Sequence, residues 1–173
     1  MASIIGVETL QHTNGTTAAT IDTAGRILTP TRPAFHARLT SGSTEGKTGT
    51  LVFNTEDFDI GSNYDTSNGR FTAPVAGIYY FCYDALVAGS TGGAALGAGV
   101  SSFFQFIKNG SEGDWSKRSY AYITGETQYN TMHRVECIQL AASDYVQVKI
   151  GQNYAYVDAS GNYDPTFQGF LIG

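Results

Sequence analysis

Between Ile78 and Val87 the chain places an apolar or aromatic residue at nearly every position, with no proline or glycine. Side chains along a strand point alternately to its two faces. One face would carry Tyr79, Phe81, Tyr83, Ala85 and Val87, and the other Ile78, Tyr80, Cys82, Asp84 and Leu86. The stretch Val100 to Lys108 divides similarly, Phe103, Gln105 and Ile107 opposing Phe104, Phe106 and Lys108. A sheet in a two-layer sandwich has one dry face and one wet one, so two apolar faces need two covers. Left bare, the second would be a larger patch than monomers usually show. A neighbouring subunit in a closed rotational assembly is the economical cover; the alternative is a single aromatic-rich sheet covered by its own loops. The expected interface residues are Ile78, Tyr80, Leu86, Phe104 and Phe106.

Strand and turn signals alternate through the rest of the chain. Phe35 to Leu39 has period two, Leu51-Val52-Phe53 is a short strand, and Asn68-Gly69 a turn before Arg70-Phe71-Thr72. Asn109-Gly110 is a favoured two-residue hairpin turn,. Further strands fit Lys117 to Ile123, Met132 to Leu140, Tyr145 to Ile150 and Thr166 to Ile172. About ten short strands, with no amphipathic helical stretch, predict an all-β sandwich or barrel. Residues 1–33 are Thr-rich, turn at Asn14-Gly15, and are stiffened by Pro30 and Pro33,. They read as an extended N-terminal arm that buries little by itself, preceding a head over residues 34–173.

Composition narrows the functions. Ten Lys and Arg face fifteen Asp and Glu, a formal charge of −5, without the basic cluster that phosphate binding demands. Nucleic acid is not expected as a partner. Neither a signal-type apolar run at the N-terminus nor the ~20 apolar residues of a membrane span appears, so membrane insertion is not expected and synthesis is expected in a cytoplasm. Cys82 and Cys137 are too few for a disulfide framework; two free thiols are the default, with one bridge between them as the alternative.

The central motifs resemble the globular head domain of complement component one, subcomponent q, whose fold is shared with tumour necrosis factor. The resemblance rests on Phe53, Asp59, Tyr64, Phe71, Gly77, Tyr79, Phe81 and Tyr83, embedded in Gly69-Arg70-Phe71-Thr72-Ala73-Pro74-Val75-Ala76-Gly77-Ile78-Tyr79-Tyr80-Phe81. Lys108-Asn109-Gly110, Gln139-Leu140, Asp144, Val146 and Thr166-Phe167-Gln168-Gly169-Phe170-Leu171 follow in order. It implies a ten-stranded jelly roll that associates as a homotrimer. Gly77 would allow a tight start to its strand, and Phe53, Tyr64, Phe71, Tyr79, Phe81, Tyr83, Phe167 and Phe170 would form the core ladder. The chain departs from the pattern in lacking a collagen-like Gly-X-Y stalk, and in having Ser143 where the family has Gly and Ala73 where it has Cys. Its Gly89 to Gly99 loop is also long. The arm, through Thr9 to Thr16, Ile21 to Ile27 and Pro30 to Phe35, is similar to the starts of bacteriophage tail-fibre and capsid-decoration proteins. That similarity implies a virion structural protein, made in the host cytoplasm and displayed on the virion surface, whose residues 1–33 dock on capsid or tail proteins. Two alternatives follow: a fibre tip attaching to a host glycan or receptor, and a secreted lectin-like or cytokine-like recognition module.

Catalytic chemistry is not expected. His12, His36 and His133 are far apart, and no nucleophile elbow or phosphate loop appears,. Glu56, Asp57 and Asp59 are the one acidic cluster. Calcium takes about six to eight oxygen ligands, so three carboxylates are a weak start, and a solvated loop is the simpler reading. Trp115 would stack on a sugar if exposed and be core if packed. Asn14-Gly15-Thr16 and Asn109-Gly110-Ser111 match a glycosylation acceptor but read as Asn-Gly turns.

Overall fold

The structure, a computed structural model, describes residues 6–40, 49–88, 100–112, 118–123, 129–151, 156–157 and 164–173. Its strands in chain order are β1 (Thr9–Gln11), β2 (Thr17–Ile21), β3 (Ile27–Leu28), β4 (Ala34–Arg38), β5 (Gly49–Leu51), β6 (Thr55–Ile60), β7 (Tyr64–Asp65) and β8 (Arg70–Thr72). They continue as β9 (Gly77–Ala88), β10 (Val100–Lys108), β11 (Ser119–Ile123), β12 (Tyr129–Leu140), β13 (Tyr145–Gly151), β14 (Tyr156–Val157) and β15 (Thr166–Leu171). No helix occurs among the described residues.

Two six-stranded antiparallel sheets face each other. The first runs β11-β10-β13-β8-β7 with β5 also on β13; the second runs β12-β9-β15-β4-β6 with β14 also on β9. The expected all-β jelly roll is observed. Its strands exceed ten because β6 carries the acidic residues that read as a loop, and β7 and β14 are two-residue pieces too short to stand out as runs of period two. Residues 9–28 are also not an extended arm. They close a three-stranded meander, β1-β2-β3, pinned by a turn at Gly15 (φ 87°) and another at Gly25 (φ 77°). It buries little of its own: Ala19 is enclosed, whereas Leu10, Ile27 and Leu28 are exposed.

The core is an aromatic layer between the sheets. Phe35, Phe53, Phe71, Tyr79, Phe81, Tyr83, Phe104 and Phe167 are all essentially inaccessible. Phe35 sits at its centre, 4.9 Å between ring centroids from Tyr64, Phe71 and Phe167. Tyr64, buried at the layer's edge, donates its hydroxyl to the Phe53 carbonyl (3.0 Å), and burial pushes its phenol far above the usual range. Seven of the eight aromatic ladder residues therefore line the core, and Phe170 does not. Phe167 and Phe170 are three residues apart, so one strand must point them to opposite faces. Gly77 matters for space rather than torsion: a Cβ there would lie 2.6 Å from Leu171 Cδ1.

Two turns fix the ends of β10, β12 and β13. Asn109 (φ 53°) and Gly110 (φ 75°) both take left-handed geometry, as the two-residue turn requires, and Ser111 donates its N–H back to the Lys108 carbonyl (2.9 Å). Asp144 ties this turn to the next one. It accepts from the Ala141 N–H (2.8 Å), the Asn109 amide (2.7 Å) and the Lys108 ammonium (2.9 Å). The Lys108 ammonium, then the Asn109 amide, hold its carboxyl down at about 2.

Ser143, where the family has glycine, stands at φ 71°. A Cβ in that region is strained by roughly 1 kcal/mol. Ser143→Gly is therefore expected to stabilise the head by up to about 0.5 kcal/mol, once the added freedom of the unfolded glycine is taken from the relief of strain. Urea unfolding of Ser143→Gly beside Ser143→Ala reads this, and a glycine form no more stable than the alanine form would refute the strain.

Candidate functional site

The outer face of the second sheet is built by five strands in register. Cross-strand partners place Cys137, Tyr80, Phe170, Ala34 and Ile60 in one row, and Val135, Cys82, Gln168, His36 and Phe58 in the next. Ile78 and Ile172 flank the first row through the bond from the Ile172 N–H to the Ile78 carbonyl (2.8 Å). Phe58 (50%), Ile78 (47%), Val135, Ile172, Phe170 (42%) and Ile60 remain open to solvent in the single chain. Tyr80, half-buried, stacks on Phe170 with centroids 4.9 Å apart. Cys82 is enclosed, its thiol pushed up by burial, while Cys137 is exposed; both are free.

The same face turns polar along its length. His36 Nδ1 meets Asp57 Oδ2 (2.7 Å), and Arg38 bridges Asp57 and Asp164 at 2.8 Å each. Arg38 first, with His36 behind it, holds the Asp57 carboxyl below the ordinary range. His133 lies beside Asp84 at 3.6 Å and beside the Cys82 sulfur at 3.9 Å. Both contacts use the same ring nitrogen, so the three groups do not form a relay of the nucleophile–base–orienter kind, which needs both. The arrangement suits association: an apolar band with a charged end that fixes register.

Of the expected interface residues, Ile78, Tyr80 and Leu86 share this face, Leu86 half-buried beside Thr131. Phe104 and Phe106 do not belong to it. They lie opposite Ile150 and Val148 on β13 and are buried between the sheets. Period two told which residues of β10 share a face, not which face is inward. Lys108, which shares their parity, stands at the strand's end, where its ammonium escapes to Asp144. Phe58, Ile60 and Val135 were missed, because Glu56, Asp57 and Asp59 made the first two look like part of an acidic loop.

Those carboxylates do not converge. A bulge between His36 and Ala37 separates them: Asp57 turns to Arg38 and His36, while Asp59 Oδ2 accepts the Tyr64 N–H at 2.8 Å. Glu56, opposite Ala37, has its carboxyl raised by burial, then by Asp59 and Asp65. Among the described residues no three His, Cys, Asp or Glu side chains group as a metal site. Trp115 lies outside the described residues.

Comparison with known proteins places this geometry. The family model described as C1q domain matches residues 34–172. Complement C1q tumor necrosis factor-related protein 5 of Rattus norvegicus is 31% identical over 148 residues, 83% of this chain and 54% of the relative. Its Homo sapiens counterpart is 33% identical over 114 residues, 64% of this chain and 40% of the relative. The chain thus spans about half the length of the relatives it matches. Among solved structures, the globular domain of zebrafish complement 1qA superposes with a TM-score of 0.60 at 19% identity, covering 82% of this chain and 98% of that one. Murine APRIL gives 0.56 at 16% identity, with 81% and 98% covered. These relatives overturn the expectation of a bacteriophage protein docked on capsid or tail through residues 1–33 and displayed on a virion after synthesis in a host cytoplasm. The similarity behind that expectation rested on short Thr-, Gly- and Asn-rich turn segments, which the β1–β3 meander explains by local turn chemistry alone. The ladder of buried aromatics, the two six-stranded sheets and a family match over residues 34–172 agree: the chain belongs to the C1q domain family.

Proposed function

We propose that this chain is a non-catalytic recognition head of the secreted, lectin-like or cytokine-like kind, working as a homotrimer closed on the outer face of the second sheet. The observation that carries the reading is the apolar band of Phe58, Ile60, Ile78, Tyr80, Val135 and Phe170 on that face. Burying such a band is worth roughly 25 cal/mol per Å² of apolar surface, and a closed symmetric assembly buries it in every copy without leaving a bare edge. The relationship to complement C1q tumor necrosis factor-related proteins supports recognition over catalysis. The charged end, His36 with Asp57, Arg38 and Asp164, would then set the rotation of one copy against the next.

Light scattering of the full chain at micromolar concentration tests the assembly. The expected mass is three times the 18.5 kDa of one chain. A single-chain mass would overturn it.

A further inference from the structure

The opposite surface, the outer face of the first sheet, carries a cluster that the self-association reading does not use. We infer that it is a site for the carboxylate of an acidic saccharide, received by Arg118, Lys149 and the side-chain amide of Gln105 in the place now held by Glu112.

Strand register puts these groups together. Gln105 lies opposite Lys149, and Phe103 lies between Gly151 and Tyr120. The Arg118 guanidinium covers the Phe103 ring at 3.8 Å and donates through Nε to Gln105 Oε1 at 3.0 Å. Its side chain is only 5% exposed. Gln105 is 1% exposed, and its Nε2, neighbour of the oxygen that Arg118 holds, has no partner. A buried amide donor left unpaired is costly and calls for an acceptor.

Charge points the same way. The chain is acidic overall, at −5, yet Arg118 and Lys149 lie together on this face, Arg118 bonded to the Gln105 that stands opposite Lys149. The acid between these two is Glu112, from the turn after β10. It pairs with Lys149 and stands 3.6 Å from Arg118, and it is 51% exposed. A half-exposed carboxylate spanning two cations is held weakly and is replaceable, and it shows the chemistry of what would replace it. A guanidinium matches a planar carboxylate.

The sugar half rests on the aromatics. Tyr120, 55% exposed, stands 5.9 Å from the Phe103 ring. At Gly151 a Cβ would collide with the Phe103 ring, so this glycine lets the ring lie flat on the sheet. An exposed aromatic beside a fixed one gives a pyranose a face to rest on.

This names a ligand for the head read above as a recognition module and rests on that reading only for its setting, since the site lies within one protomer. Calorimetry of the full chain with trigalacturonate at low salt tests it, with lactose and inorganic sulfate as comparators. Glu112→Gln is expected to tighten trigalacturonate about tenfold, and Lys149→Gln to weaken it about tenfold, with lactose and sulfate not binding. Equal affinity of the wild type and Glu112→Gln, or equal binding of lactose or sulfate, would overturn the inference, as would silence of Glu112→Gln at millimolar sugar. Light scattering on the same samples keeps the two readings apart: a monomer that binds sustains this site and removes the trimer, and a trimer that does not bind does the reverse.

Discussion

Phe167→Ala should remove a large share of the head's stability, about 3–5 kcal/mol against a typical total of 5–15 kcal/mol. Phe167 is fully buried on β15, the strand between β9 and β4. Its ring meets Phe35 edge-on at 4.9 Å, lies 5.6 Å from Phe53, and stands 6.0 Å from each of Tyr64, Phe81 and Phe106. Truncation loses the transfer energy of the ring and leaves a cavity walled by aromatics from both sheets, which a rigid interleaved layer cannot close. At about 2–4 °C per kcal/mol for a chain of this size, the midpoint should fall by roughly 10 °C. The comparison must be made at one protein concentration, because association adds to apparent stability. A loss below about 1 kcal/mol would mean that the layer collapses around the gap.

Phe167 also shows what the sequence made legible. The alternation in β9 grouped Tyr79, Phe81 and Tyr83 on one face, because a strand's period of two is fixed by covalent geometry, and the family resemblance assigned that face to the core. The Asn109-Gly110 turn was equally readable, since two consecutive left-handed positions exclude most other pairs. What failed needed information from across strands. Phe104 and Phe106 went to the wrong side because inwardness depends on β13, some 40 residues later. Phe170 was counted as core although its spacing from Phe167 forbids it, an inference that parity alone could have corrected. The stacking of Arg118 on Phe103 had no local signal at all: it arises from the register of β10 with β11. The meander over residues 9–28 read as an arm because its strands are two to five residues long and mostly exposed.

Phe170→Glu separates folding from assembly. Phe170 is 42% exposed in one chain and leans on Tyr80 rather than on the core, so the monomer has little reason to unfold. In the proposed trimer the same substitution puts a carboxylate from every copy into an apolar band. No cation lies in its row: Cys137, Tyr80, Ala34 and Ile60 are its partners. Burying an unpaired charge costs several kcal/mol, and each 1.4 kcal/mol is tenfold in a dissociation constant. The variant is therefore expected to scatter light as a single chain at micromolar concentration while keeping the circular dichroism of the wild type. Phe170→Leu, apolar and similar in volume, should remain assembled. If Phe170→Glu keeps the wild-type mass, the band is covered by something other than its own copies. If it unfolds while Phe170→Leu does not, the face belongs to the core of each head, and the distinction between the two sides of β15 is wrong.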